Sequence, residues 1–186
     1  MNMVRMGSGL LLLMLVGVAG IASADDGFYS WLLTLDRKGE IAPLVNETYK
    51  EECGSCHFPY QPGLLPSRSW KKLLSPSALE DHFGENAELD EDVRLQLLAV
   101  LEKSAAETSY YKRSRKIMAS LKDATPLRIT EVPYIQRAHH EVPARLIKKN
   151  DKVKSLSYCD ACHQKADKGI YDDDTVSIPG HGAWTW

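Results

Sequence analysis

The chain has 186 residues, room for one or two small domains, and a formal net charge of −2. That slightly acidic balance excludes the basic excess of a nucleic-acid binder. All four cysteines fall in two Cys-x-x-Cys pairs, so none is left for a long-range disulfide.

Near the N-terminus, Arg5 supplies a positive charge and an apolar run extends from Leu10 to Gly20. Ala22-Ser23-Ala24 then offers the small residues a signal peptidase requires. The run is short for a bilayer span, and no basic stop follows it. Residues 1–24 are therefore expected to be a cleaved export signal, with an uncleaved anchor as the alternative reading. The mature chain is then periplasmic and not membrane-spanning, since no later stretch is apolar enough to cross a bilayer.

Val45, Tyr49 and Cys53 recur every fourth residue and predict a short amphipathic helix over 45–53. A loop rich in Pro59, Pro62, Gly63 and Pro66 follows. Ser75-Pro76 opens a short helix that Gly84 closes. A stronger helix begins at Asp90, with acidic residues in its first turn and an apolar stripe of Leu89, Val93, Leu97, Val100 and Leu101. The basic stretch from Tyr110 to Leu121 is partly helical. Pro126 to Pro133 is irregular and marks the expected boundary between a unit at 25–124 and a smaller one at 125–186. Short helices are predicted from Pro133 through His140 and around Pro143 to Lys148. The tail from Val176 to Trp186 is irregular. The expected fold is mostly α.

Cys53-Gly54-Ser55-Cys56-His57 and Cys159-Asp160-Ala161-Cys162-His163 are both Cys-x-x-Cys-His, the attachment signature of c-type haem. Residues three and four apart share one face of a helical turn. Cys53 and Cys56 can then reach two vinyl groups of one porphyrin while His57 is presented to its iron. Cys159, Cys162 and His163 repeat the arrangement, which implies two haems. A thioredoxin-type pair needs a βαβ context that this chain lacks, and zinc ribbons hold their two pairs much closer in sequence. A disulfide inside each pair would not call for a histidine twice.

Each iron has one further axial position, commonly filled by Met or a second His. Met1, Met3, Met6 and Met14 leave with the export signal, so Met118 alone survives. Two Met-ligated irons are excluded by counting. Met118 sits in a core-like stretch and reads as a gap-filling side chain. The remaining histidines are His82, His139, His140 and His181. His82 ends a short helix just after the first haem motif and is the candidate for the first iron. His139 lines up with Ile135 and Val142 on the apolar side of its helix and is preferred for the second. His140 faces away, and His181 lies between two glycines near the chain end, so both remain alternatives. Arg68, Lys71, Lys72 and Arg128 are candidate propionate partners, and Trp70, Trp184 and Trp186 are candidates to pack on a porphyrin edge.

The chain resembles the bacterial di-haem cytochrome c family. The resemblance is carried by Gly63-Leu64-Leu65-Pro66, Ser69-Trp70, His82-Phe83-Gly84-Glu85-Asn86-Ala87, Pro126-Leu127-Arg128-Ile129-Thr130, His139 with Glu141-Val142-Pro143, and both haem motifs. It implies a first domain like a class I cytochrome c with His82 in place of the usual Met, and a smaller, irregular α haem domain with His139 as ligand. It also implies redox partners, either a membrane cytochrome b or a small oxygen-binding c-type haem protein. The expected role is periplasmic electron transfer without bond chemistry. The rivals are a small peroxidase-like di-haem enzyme and a haem-based gas or redox sensor, each of which needs one iron with an open site.

Overall fold

Asn46 sets the start of the first helix, α1 (Glu47–Gly54), by accepting a hydrogen bond from Tyr49 N at 2.7 Å. The structure, a computed structural model, describes residues 39–184. The expected export signal lies outside them. Because the cap is Asn46, the predicted stripe loses its first member: Val45 precedes the helix and is 89% exposed. Tyr49 is buried, and its hydroxyl donates to Tyr60 O at 2.7 Å.

The Pro/Gly-rich segment makes a 3-10 turn at Pro62–Leu64 and then enters a helix that the sequence reading did not anticipate, α2 (Ser67–Leu73). Seven residues are too few for a helical period to register. Burial of Trp70 and Leu73 holds it, and Trp70 Nε1 donates to Pro62 O at 2.8 Å. Ser75-Pro76 opens α3 (Pro76–Glu80) as expected. Asp90 precedes α4 (Glu91–Lys103), whose first turn carries Glu91 and Asp92 against the positive end of the helix dipole. Leu97 and Leu101 are fully buried where α4 packs on α2. Full burial of each leucine contributes about 1.5–3 kcal/mol.

The basic stretch forms α5 (Lys112–Leu121), which turns Ser114, Ile117 and Leu121 inward and packs on α6 (Pro133–Ala138). Between them the chain is irregular, with a 3-10 turn at Ile129–Glu131. α6 is shorter than predicted: His139 takes the C-cap position instead of continuing the helix. The helix expected around Pro143 to Lys148 is reduced to a 3-10 turn at Ala144–Leu146. The second haem motif forms one helical turn, α7 (Cys159–Cys162). The tail, expected to be irregular, contains a small antiparallel pair, β1 (Ser177–Ile178) with β2 (Gly182–Ala183), in the register Ser177 to Ala183.

The main apolar cluster includes Leu64, Trp70, Leu97, Leu101 and Ile117 from the first half, with Ile129, Val132, Ala166 and Tyr171 from the second. A satellite cluster of Ile147, Val153, Val176 and Ile178 lies under the second motif. The core thus continues across the expected 124/125 boundary. Two glycines permit close approaches within it. A Cβ on Gly63 would lie 2.7 Å from Ser114 Oγ and 3.2 Å from Ile41 Cγ2. Gly169, with φ of +69°, has its carbonyl accept from the N–H groups of Glu40 and Ile41.

Candidate functional site

The four histidines singled out from the sequence meet in two pairs. In the N-terminal site the rings of His57 and His82 face each other with centroids 6.5 Å apart and planes within 16° of parallel. His57 leaves the end of α1, and its Nδ1 is 2.8 Å from Phe58 O. His82 is held by a tight turn. Its N–H donates to Glu85 O at 2.7 Å, and Asp81 Oδ1 accepts from Gly84 N at 2.9 Å. Within that turn Phe83 adopts φ of +60°, unusual for an aromatic residue. Phe83 lies edge-on to His82, and the Arg128 guanidinium sits over its outer face at 3.8 Å from the ring centroid. Cation–π stacking of this kind helps offset the backbone strain.

In the C-terminal site the rings of His139 and His163 have centroids 6.0 Å apart and planes 78° apart. His139 Nδ1 is 2.8 Å from Ile135 O, the preceding turn of α6. His163 Nδ1 is buried and has no hydrogen-bond partner among the described residues. Around the pair lies an apolar cleft, partly open to solvent, whose walls include Ile135, Val142, Leu146, Val153, Val176 and Trp184.

A metal–imidazole nitrogen bond is about 2 Å and the ring centroid lies about 1 Å beyond, so one metal between two imidazoles sets centroids about 6 Å apart. Both pairs match that spacing, and each has a Cys-x-x-Cys turn beside it, so the residues fit two haems. Burial first, then His57 and Arg128, pushes His82 below the ordinary imidazole range. Burial, with His139 and Arg113 nearby, lowers His163 to about 4. These two imidazoles are therefore neutral at pH 7 and keep the lone pair a metal requires. Burial also raises Cys53 to about 11 and Cys159 to about 12. A thiol-redox pair needs a depressed value instead, so Cys53 and Cys159 do not read as exchange thiols. Among the described residues no three His, Cys, Asp or Glu side chains converge into a further metal site.

The other candidates fall elsewhere. His140 is exposed, with Nδ1 on Arg137 O at 2.7 Å, and His181 is exposed beside Trp184. Neither is paired with a motif histidine. Met118 packs against the main core. Arg68 donates to the carbonyls of Ala124 and Lys122, and Trp70 is a core residue. Lys71 and Lys72 are exposed in the last turn of α2. Trp184 lines the C-terminal cleft, while Trp186 lies outside the described residues.

Sequence reasoning missed the groups between the two sites. Tyr60 stacks on His57 with centroids 5.1 Å apart, and its hydroxyl donates to Ser157 O at 2.6 Å, just ahead of the second motif. Tyr171 lies edge-on to His163 at 5.2 Å, and its hydroxyl donates to the buried Gln61 Oε1, while Gln61 Nε2 donates to Ala166 O. These contacts span about a hundred residues of chain, which no local pattern reports. Tyr171→Phe strips a buried oxygen of its donor, at a cost of about 1–3 kcal/mol. Denaturant unfolding is expected to show that loss while the optical spectrum stays unchanged. An altered spectrum would assign Tyr171 a role at the haem instead.

A family model described as dihaem cytochrome c matches residues 49–171. The chain is similar to the dihaem cytochrome type c from Shewanella baltica, with 39% identity and a TM-score of 0.62 over 75% of this chain and 98% of that one. It is also similar to the dihaem cytochrome c from Rhodobacter sphaeroides, with 37% identity and a TM-score of 0.61 over 70% of this chain and 99% of that one. No curated protein matches the chain.

Proposed function

The chain belongs to the dihaem cytochrome c family, which carries two c-type haems, and we propose that it is a periplasmic electron carrier with both irons held by two histidines. Supporting this reading above all is the pairing of His57 with His82 and of His139 with His163, at 6.5 and 6.0 Å between ring centroids. Bound haem iron supplies reversible one-electron chemistry. The chain's own contribution is to fix and shield it. Cys53 with Cys56, and Cys159 with Cys162, anchor the two groups covalently. His57 and His163 serve as proximal ligands, and His82 and His139 as distal ones. Backbone carbonyls of Phe58 and Ile135 orient His57 and His139 through Nδ1. With two fixed protein ligands, neither iron offers a place for substrate, which argues for outer-sphere transfer over peroxidase or sensor chemistry.

One haem belongs to each proposed unit, 25–124 and 125–186. The Ala22-Ser23-Ala24 site supports export, and among the described residues no helix is long and apolar enough to cross a membrane. Redox proteins are the proposed partners, either a membrane cytochrome b or a small oxygen-binding c-type haem protein, as the family resemblance implies.

Optical spectra of the purified protein, oxidised, reduced, and reduced under carbon monoxide, test this. Two low-spin c haems that ignore carbon monoxide are expected. A high-spin band or a marked carbon monoxide shift would reveal an open iron and favour an enzyme or a sensor.

A further inference from the structure

We propose that the C-terminal site, His139 with His163, has the higher potential of the two and holds the first electron in the half-reduced protein. This rests on the reading that each histidine pair ligates one haem iron. Three differences between the sites point the same way.

The first is the angle between ligand planes, 16° at His57 and His82 against 78° at His139 and His163. Parallel imidazoles donate π density into the same iron d orbital. They raise it above its partner, and the ferric hole settles there. Perpendicular imidazoles load the two orbitals equally and give the hole less stabilisation. The ferric form is therefore favoured more at the N-terminal site.

The second difference is at Nδ1. His57 and His139 each have a backbone carbonyl there at 2.8 Å. His163 Nδ1 is buried and has no such partner among the described residues. Donation from Nδ1–H makes an imidazole a stronger base toward its metal and so stabilises the more positive oxidation state. Of the two motif histidines, His57 has that support and His163 does not.

The third is the surroundings. The turn beside His82 exposes Phe83, Gly84, Glu85 and Asn86 to solvent, and Cys56 is exposed. The C-terminal cleft is lined mainly by apolar side chains, with Arg113 and Asp173 its only charged members. Low polarity penalises the added charge of the ferric state and raises the potential. Arg113 near His163 does not decide the order, because Glu40 neutralises it at 2.6 Å.

A reductive titration of the holoprotein, followed by low-temperature electron paramagnetic resonance, reads both the order and the geometry. Near-degenerate d orbitals give a signal with a large maximum g value, whereas parallel planes give an ordinary rhombic signal. One signal of each kind is expected in the oxidised protein, and the large-g signal should vanish first. His82→Met should replace the rhombic signal and leave the other, and His139→Met should do the reverse, so that either variant alone assigns the pair. Loss of the rhombic signal first, loss of both together, or two signals of one kind would overturn the proposed order while leaving bis-histidine ligation intact. A high-spin signal in the untreated protein would overturn the ligation and, with it, the order.

Discussion

Replacing His139 with alanine is expected to turn one haem of the two high-spin and open to carbon monoxide, while His140→Ala and His181→Ala leave both low-spin. Apolar neighbours favour His139 in the sequence, and geometry makes the distinction among the three. His139 alone of the three is paired with His163, its ring fixed by Ile135 O. His140, the next residue, points into solvent toward Glu141. His82→Ala should do the same to the other haem. With Cys53, Cys56, Cys159 and Cys162 as the proposed covalent anchors, each variant is expected to keep both haems and lose only a ligand. Optical spectra with and without carbon monoxide check this. A high-spin product from His181→Ala, with His139→Ala remaining low-spin, would reassign the second ligand.

The second large effect is expected at Gly169. A Cβ there would sit 2.1 Å from Ile41 O, and the residue holds φ of +69°. The clash is with backbone, which cannot rotate aside as the Ser114 hydroxyl beside Gly63 can. Overpacking of about 1–3 kcal/mol adds to a left-handed penalty of about 1–2 kcal/mol. Gly169→Ala should therefore lose roughly 2–5 kcal/mol, a large share of a small protein's stability. Denaturant unfolding followed at the haem band measures it. A loss under about 1 kcal/mol would show that the 39–41 segment is free to move away from Gly169 at little cost.

Much of this architecture was legible in the sequence because its signals are local. Both attachment turns follow from five-residue motifs, and α4 follows from the spacing of Leu97 and Leu101. His82 and His139 emerged by counting methionines and asking which histidine shares a face with apolar neighbours. The failures are equally physical. α2 is too short to show a period, and its stability comes from Trp70 reaching Pro62 O. The Asn46 cap overrides the apolar spacing that included Val45. The tail hairpin lacks an alternating apolar pattern to announce it. Tyr60, Gln61 and Tyr171 derive their roles from partners far away in the chain, and no window along the sequence contains both ends of those bonds.

Glu40 accepts from the backbone of Tyr171, a residue 131 positions away, and Gln61 and Tyr60 are bonded to partners 105 and 97 positions away. These links close long loops, and contacts of that kind form late because loop closure must precede the reward. The knot of contacts around Gly169 and Tyr171 can form only after nearly the whole chain has been delivered. Until then the first motif stands on an open polypeptide with its thiols accessible. Late closure thus keeps Cys53 and Cys159, both half-buried in the finished fold, open to chemistry for longer.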